Sequence, residues 1–346
     1  VNSNQTSAIL IERLGPPRVL VERTVPLRTP GFGEVRVRVT AAGLNFADLL
    51  MRAGLYGTVP PRPFSPGFEV AGEVAGVGPG VADWREGDRV IAILRYGGYA
   101  HDVVVPAANL FRYPSNLSPL EAAAIPVAFL TAWVCLHESA RARAEETVLI
   151  LGAAGGVGTA AVQLARMHGL RVIGTAGSER KRDFVTGPLG AAACFDSAGD
   201  WESEVRQFVG DRGIDIALDS VGGRATASCR RLLAPFGRLV FYGLSDAMPG
   251  KRRNWLYALL SLARTPRFHP LSLIEPNIGV LGVHLLHLRQ NEDVLRRALV
   301  TIEAGIADGR LRPIVDRAFP LTRDGAVAAH EYVHERRSLG KVVLTR

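Results

Sequence analysis

The chain has little of what would mark it as secreted, metal-stapled or membrane-spanning. Its 346 residues include only three cysteines, Cys135, Cys194 and Cys229. None sits in a CxxC pair, so neither a disulfide framework nor a zinc knuckle is indicated, and a reducing, cytoplasmic setting is expected. The apolar runs are too short or too interrupted to span a bilayer, and no signal-peptide pattern opens the sequence. Repeats and low-complexity tracts are also lacking. What remains is ordinary: 47% hydrophobic and 21% charged residues, enough for a large core. Single cores seldom grow past about 250–300 residues, so two domains are expected. The net charge is +8, but the charges are scattered and no nucleic-acid module is recognisable, so nucleic acid is not expected as a partner.

One stretch organises the rest. Val148–Gly158 reads VLILGAAGGVG, an apolar run that ends in a glycine-rich turn and enters a helix-like stretch from Gly156 to His168. The spacing Ala153-x-Gly155-x-x-Gly158 is the dinucleotide fingerprint with alanine in the first glycine place. Small residues there let backbone approach a pyrophosphate, and the helix N-terminus offers free N–H groups to it. Arg171–Thr175 supplies the next strand. An NAD site usually carries Asp or Glu at that strand's end, for the ribose 2′-hydroxyl. Here Thr175, Ala176, Gly177 and Ser178 stand there, followed by Glu179-Arg180-Lys181-Arg182. A 2′-phosphate suits Ser178 and Lys181, and NADPH is favoured over NADH; for Arg182 a solvated helix face is the better reading.

Residues 1–125 read as β-rich, with Val35–Ala42 (VRVRVTAA) alternating strictly, and they suggest a small barrel-like domain. From Ser118 the pattern becomes βα, through Ile214–Asp219 and Arg238–Gly243, as in a doubly wound parallel sheet. Residues 246–290 interrupt it with an apolar, basic stretch. Val294–Gly309 reads as a helix, as does Asp324–Arg336, and Lys341–Leu344 as a final strand.

Several stretches together resemble the medium-chain dehydrogenase/reductase superfamily: AAGLNFADLLMRAGLY (41–56), PGFEVAGEVAGVG (66–78), GDRV (87–90), LTAW (130–133), the fingerprint, DSVGG (219–223) and GKVVL (340–344). The resemblance covers essentially the whole chain. It implies an α/β protein: a GroES-like β-rich catalytic domain from 1–125 and 300–346, and a Rossmann doubly wound domain over 126–299 that carries the 246–290 insert. Zinc-dependent members have Cys where this chain has Asn45 and His where it has Phe68, and no thiolate or imidazole remains to hold a tetrahedral zinc. The chain therefore resembles the zinc-independent quinone oxidoreductase branch, and within it the vesicle amine transport protein-like subgroup.

The resemblance also implies roles. Asn45 would lie near the nicotinamide ribose and substrate, and Tyr56 would donate a proton, with water as the alternative donor. Ala154, Gly155, Gly156 and Val157 would bind the pyrophosphate through backbone. Thr131, Phe241, Tyr242, Gly243, Val283 and Leu285 would serve the nicotinamide end, and Gly177 would adjoin the ribose phosphate. Relatives often have Tyr where this chain has Ser197, which weakens the case for NADPH. A homodimer is implied. Without a metal to hold an alkoxide, a conjugated acceptor is favoured, a small quinone or enone whose reduction leaves a delocalised anion. Two alternatives stay open. One is an enoyl-thioester reductase. The other is a low-turnover NADPH-binding protein at a membrane surface, suggested by Trp255, Leu256, Tyr257, Leu259, Leu260 and Leu262 beside Lys251-Arg252-Arg253. Finally, His330-Glu331-Tyr332-Val333-His334 fits the HExxH pattern of zinc peptidases. It falls on a helix that the resemblance places at a polar surface, so no metal is expected there.

Overall fold

The computed structural model describes residues 4–57, 59–248, 250, 255–285 and 291–346. The chain forms two compact units, Val1–Val127 with Gly250–Arg253 and Pro313–Arg346, and Ala128–Pro249 with Asn254–Arg312.

The first unit opens with the antiparallel pair β1 (Gln5–Ile11) and β2 (Leu20–Pro26). After them come β3 (Glu34–Leu44), α1 (Phe46–Ala53), β4 (Glu69–Val77), β5 (Arg89–Ile93), β6 (Asp102–Pro106), β7 (Leu110–Arg112) and α2 (Pro119–Ala123). The alternation in β3 is realised: Val35, Val37 and Val39 are buried while Arg38 is exposed, the period of two of a half-buried strand. The sequence reading places no helix before Ser118, yet α1 follows β3 directly. Its start is made locally, because the Asp48 carboxylate accepts a hydrogen bond from the Asn45 backbone N–H at 2.8 Å, satisfying a donor at the helix N-terminus.

The second unit begins at Ala128, within α3 (Pro126–Trp133). It holds β8 (Thr147–Ile150), α4 (Gly156–Met167), β9 (Arg171–Ala176), α5 (Glu179–Thr186), β10 (Ala193–Asp196), α6 (Trp201–Val209), β11 (Ile214–Asp219), α7 (Arg224–Leu232) and β12 (Leu233–Phe241). Then come α8 (Trp255–Arg264), α9 (Pro270–Ile274), β13 (Gly279–Gly282) and α10 (Glu292–Ala307). Its sheet is parallel throughout, in the order β10-β9-β8-β11-β12-β13, which is the doubly wound arrangement. Leu149, Ile173, Ala217 and Leu239 form its fully buried centre. In such a sheet all strands end on one edge, so Ile150, Ala176, Asp219, Phe241 and Gly282 line up where ligands bind. α10 buries Ala298, Ile302 and Ile306 in this unit, so the unit runs on to Arg312 rather than ending at 299.

The chain then returns to the first unit with β14 (Val315–Pro320), α11 (Arg323–His334) and β15 (Lys341–Thr345). These complete a seven-stranded sheet in the order β14-β15-β3-β4-β5-β7, with β6 also paired to β3. Val342 pairs antiparallel with Leu44, so the last strand of the chain lies against the third. Among the described residues no helix is long and apolar enough to cross a membrane.

Candidate active site

In the second unit the turn after β8 is shaped by small residues. Gly152 takes a left-handed φ of 66°, which glycine adopts without steric cost. It stands one place before Ala153, and this is why alanine is tolerated in the first position of the fingerprint. The turn is pinned from the neighbouring strand: Ala153 N–H donates to the Thr175 carbonyl at 2.9 Å, and Gly152 N–H to the Thr175 hydroxyl at 3.3 Å. A Cβ on Gly158 would fall 2.2 Å from the Gly152 carbonyl oxygen, so that position admits no side chain. Ala154 and the N-cap Gly155 lead into α4, whose first N–H groups, those of Gly156 and Val157 among them, have no acceptor within the helix. The residues present therefore fit a pyrophosphate: small, close-packed and rich in outward N–H donors.

At the end of β9, Thr175 is buried and its hydroxyl is taken by the turn. No carboxylate occupies the strand end itself; the first acid after it is Glu179, in the first turn of α5. Gly177 and Ser178 are exposed, Ser178 as the N-cap of α5, and Lys181 is half-buried. Arg182 is half-buried and pairs with Asp196 at 3.1 Å, rather than standing on a solvated helix face. At the end of β12 the Tyr242 N–H donates to the Asp219 carbonyl at 3.0 Å. Asp219 is itself tied down by the N–H groups of Val221 and Gly222 and by the Thr226 hydroxyl at 2.6 Å. A Cβ on Gly243 would lie 2.8 Å from the Ser220 carbonyl oxygen. Val283 N–H donates to the Phe241 carbonyl at 2.9 Å, so Val283 and, two residues on, Leu285 run past the same sheet edge. Thr131 is buried within α3. Lys251, Arg252 and Arg253 lie outside the described residues, as do the side chains of Trp255, Leu256 and Tyr257.

The first unit holds a different kind of centre. The pairing of Val342 with Leu44 sets Lys341 across from Asn45. The pairing of Val70 with Ala42 sets Glu69 beside Gly43. A Cβ on Gly43 would fall 2.3 Å from the Glu69 carboxylate, so glycine there makes the room that the acid occupies. Glu69 is fully buried and Lys341 nearly so, and their charges meet at 2.6 Å. The Lys341 ammonium also donates to the Leu44 carbonyl at 3.0 Å and to Asn45 Oδ1 at 2.8 Å. Asn45 Nδ2 donates to Glu69 Oε1 at 2.8 Å, and Val127 N–H to Glu69 Oε2 at 2.7 Å. Sequence reasoning found Asn45 and missed both charged partners. The signal was there, in a lone acid within PGFEVAG and a lone base within GKVVL.

Around this cluster the second candidate, Tyr56, packs its ring 5.8 Å from that of Phe68. Burial, with the Asp48 charge as a lesser cause, pushes its phenol up to about 12. Asp48 is fully buried and accepts from the Gly67 N–H at 2.8 Å as well as from Asn45. Burial pushes its carboxyl up to about 7 in spite of those two bonds.

The HExxH stretch departs from its expected place. His330 and His334 are buried, not displayed on a polar surface. Both ring nitrogens that could meet in a metal site face Arg52 instead: Nη1 lies 3.2 Å from His330 Nδ1 and Nη2 2.7 Å from His334 Nε2. The guanidinium is fully buried and also donates to the Gly15 carbonyl. Being a donor only, it needs both facing nitrogens as acceptors and so holds both rings neutral. Among the described residues no group of three or more His, Cys, Asp or Glu side chains is placed to hold a metal ion.

Comparison with known proteins agrees with this architecture. Residues 31–115 match the alcohol dehydrogenase GroES-like domain family, and residues 156–296 the family described as zinc-binding dehydrogenase. The chain is 37% identical over 324 residues to the synaptic vesicle membrane protein VAT-1 homolog of Rattus norvegicus, covering 91% of this chain and 77% of that one. It is 36% identical to the quinone oxidoreductase of Thermus thermophilus, whose structure was also solved as a complex with NADPH; the TM-score is 0.79, with 98% of this chain and 100% of that one covered. The CurK enoyl reductase is similar at 28% identity and a TM-score of 0.84, with 99% of each chain covered. The chain belongs to the medium-chain dehydrogenase/reductase superfamily, in the quinone oxidoreductase branch that includes the VAT-1 homologues.

Proposed function

We propose that this oxidoreductase is a zinc-independent, NADPH-dependent reductase of small quinones or α,β-unsaturated carbonyls. The observation that carries the reading is the donor set around Asn45. Where zinc-dependent relatives would offer a thiolate, this chain offers an amide whose oxygen is already engaged by the Lys341 ammonium. A hydrogen-bonding site of that kind suits a delocalised enolate or phenolate better than a localised alkoxide.

A bound NADPH supplies the hydride. The chain's own residues do the rest. Backbone N–H groups of Ala154, Gly156 and Val157 bind the pyrophosphate, Gly155 serving by its lack of a side chain because its own N–H is taken by the Gly152 carbonyl at 2.9 Å. Ser178 and Lys181 bind the 2′-phosphate, with no carboxylate at the strand end itself to repel it. Thr131, Phe241, Tyr242, Gly243, Val283 and Leu285 orient the nicotinamide end, and Gly177 lets the ribose phosphate approach. Asn45 donates a hydrogen bond to the substrate oxygen on which negative charge develops. Tyr56 keeps its proton at neutral pH as any phenol does, the more so because burial pushes it up to about 12, and gives it to the reduced acceptor. The reading includes a cytoplasmic homodimer, which sedimentation of the purified protein would test.

The test is consumption of NADPH, with NADH alongside, against quinones, enones and an enoyl thioester. Faster turnover with NADPH on quinones or enones is expected. Preference for the enoyl thioester would move the substrate to the class named for the CurK relative. Tight binding of NADPH with no turnover of any acceptor would contradict the enzyme reading.

A second reading has its own observation. Leu259 and Leu262 on α8 are 60% and 53% exposed, and Leu271 and Ile274 on α9 are 68% and 69% exposed, which favours peripheral contact with a membrane surface. Co-sedimentation with anionic liposomes that is lost at high salt supports it, and no binding at any salt ends it.

A further inference from the structure

Lysine is scarce in this chain. Of its 41 basic residues only Lys181, Lys251 and Lys341 are lysine, and the other 38 are arginine. One of the three is buried in the Asn45 cluster. The acceptors there are the Leu44 carbonyl at 3.0 Å, Asn45 Oδ1 at 2.8 Å and Glu69 Oε1 at 2.6 Å. Three acceptors gathered on one atom match the three donors of an ammonium and not the flat fork of a guanidinium. The ammonium has no donor left over for a substrate. Its influence on any reaction must pass through its neighbours.

The neighbour that faces both charges is the Asn45 amide. Its oxygen accepts from a group that can only donate, and its nitrogen donates to a group that can only accept. Flipping the amide would set N–H against ammonium and oxygen against carboxylate, so one orientation survives. Asn45 is only half-buried, and its second Nδ2 hydrogen is spoken for by neither charge. The Lys341 charge also offsets that of Glu69, which would otherwise oppose an anion forming nearby.

We infer that Lys341 is a positioning residue: with Glu69 it locks the flip of the Asn45 amide so that a hydrogen-bond donor is presented to the reacting substrate oxygen. The inference rests on the proposed role of Asn45, but the lock itself can be read without turnover.

The test uses the full chain labelled with 15N-asparagine, with the Asn45 side-chain signal assigned by its loss in Asn45→Ala. The two Nδ2 protons are expected to exchange with water at different rates, the one on Glu69 slowly and the other fast. In Lys341→Met, and in the charge-free pair Glu69→Gln/Lys341→Met should the single variant fail to fold, the two rates should converge. Equal rates in the native chain, or an unchanged difference in the variants, overturn the lock. In turnover, Lys341→Met should lower kcat about a hundredfold, the lower end of the range for losing an oriented donor, with the dissociation constant for NADPH held within about twofold. In an Asn45→Ala background the same change should leave kcat unaltered, because the two act as a unit. Equal losses in both backgrounds would mean a structural role only. A native chain with the lock but no turnover would sink the proposed function and leave the lock standing.

Discussion

The dinucleotide cradle and the Asn45 cluster are built from opposite materials. In the cradle the contacts come from backbone: the Gly152 turn, the exposed N–H groups at the start of α4, and glycines whose missing Cβ leaves room. Its side chains are mostly absences. In the Asn45 cluster the contacts come from side chains, two of them charged and both buried. A cradle of backbone tolerates any neighbour that stays small. A buried ion pair tolerates almost no change, since losing one partner strands the other's charge.

That contrast orders what substitutions should do. Glu69→Leu should be the most damaging, costing about 3–5 kcal/mol because the Lys341 ammonium is left buried without its counter-charge. Chemical denaturation would measure it, and a loss below about 1 kcal/mol would mean that the pair is not buried as described. Gly158→Ala should follow. Its Cβ would press on the Gly152 carbonyl at 2.2 Å, and relieving that overlap should cost about 2–3 kcal/mol and abolish tight NADPH binding. Gly155→Ala, with its nearest contact at 3.3 Å, serves as the mild control. Similar losses for both would place the tight approach elsewhere in the turn.

The next variant separates the two halves of the cofactor site. Ser178→Ala with Lys181→Ala should weaken NADPH by about 10- to 100-fold, the scale of one or two charge-assisted hydrogen bonds, while leaving NADH nearly unchanged. Arg182→Ala should change neither much, since Arg182 is paired with Asp196. Equal weakening of both cofactors by the double variant would remove Ser178 and Lys181 from the phosphate site.

The smallest effect expected concerns pH. His330 is fully buried against Arg52, and burial first, then the Arg52 charge, holds it well below its usual range. The unfolded chain therefore takes up a proton that the folded chain refuses. The resulting stability is complete above about pH 6.5 and is lost as pH falls from there toward the folded value, at up to about 1.4 kcal/mol per pH unit for one proton. The groups facing His330 are Arg52, His334 and the Tyr99 ring, and none is a carboxylate that would draw a proton in. His330→Gln keeps an acceptor for Arg52 and should flatten the decline in melting temperature between pH 7 and 5. An unchanged slope would assign the acid sensitivity to another group.

The same contrast explains how much could be read in advance. The cradle was legible because its residues are neighbours in sequence, and because glycine at fixed offsets after an apolar strand has few other causes. Even so, the glycine that makes the turn is Gly152, one place ahead of the fingerprint as counted. The Asn45 cluster was legible only in part. Lys341 stands 296 residues from Asn45, and nothing local in GKVVL says which strand it will lie against; that follows from sheet register alone. α1 was hidden by its glycine- and proline-rich surroundings, and nothing local marks Asp48 as its buried capping carboxylate. The two histidines were visible as a pattern but not as partners of Arg52, because a buried arginine is too rare to expect from sequence.

The most direct test of the central claim follows the hydride itself. NADPH carrying deuterium at its transferable position should be oxidised by an enone, and the label located in the product by mass and NMR spectroscopy. Deuterium on the β-carbon of a saturated ketone is the expected result, since the charge then spreads into an enolate that Asn45 can hold. Deuterium on the carbonyl carbon of an allylic alcohol would contradict the account, because that product requires a localised alkoxide which this site is not built to stabilise.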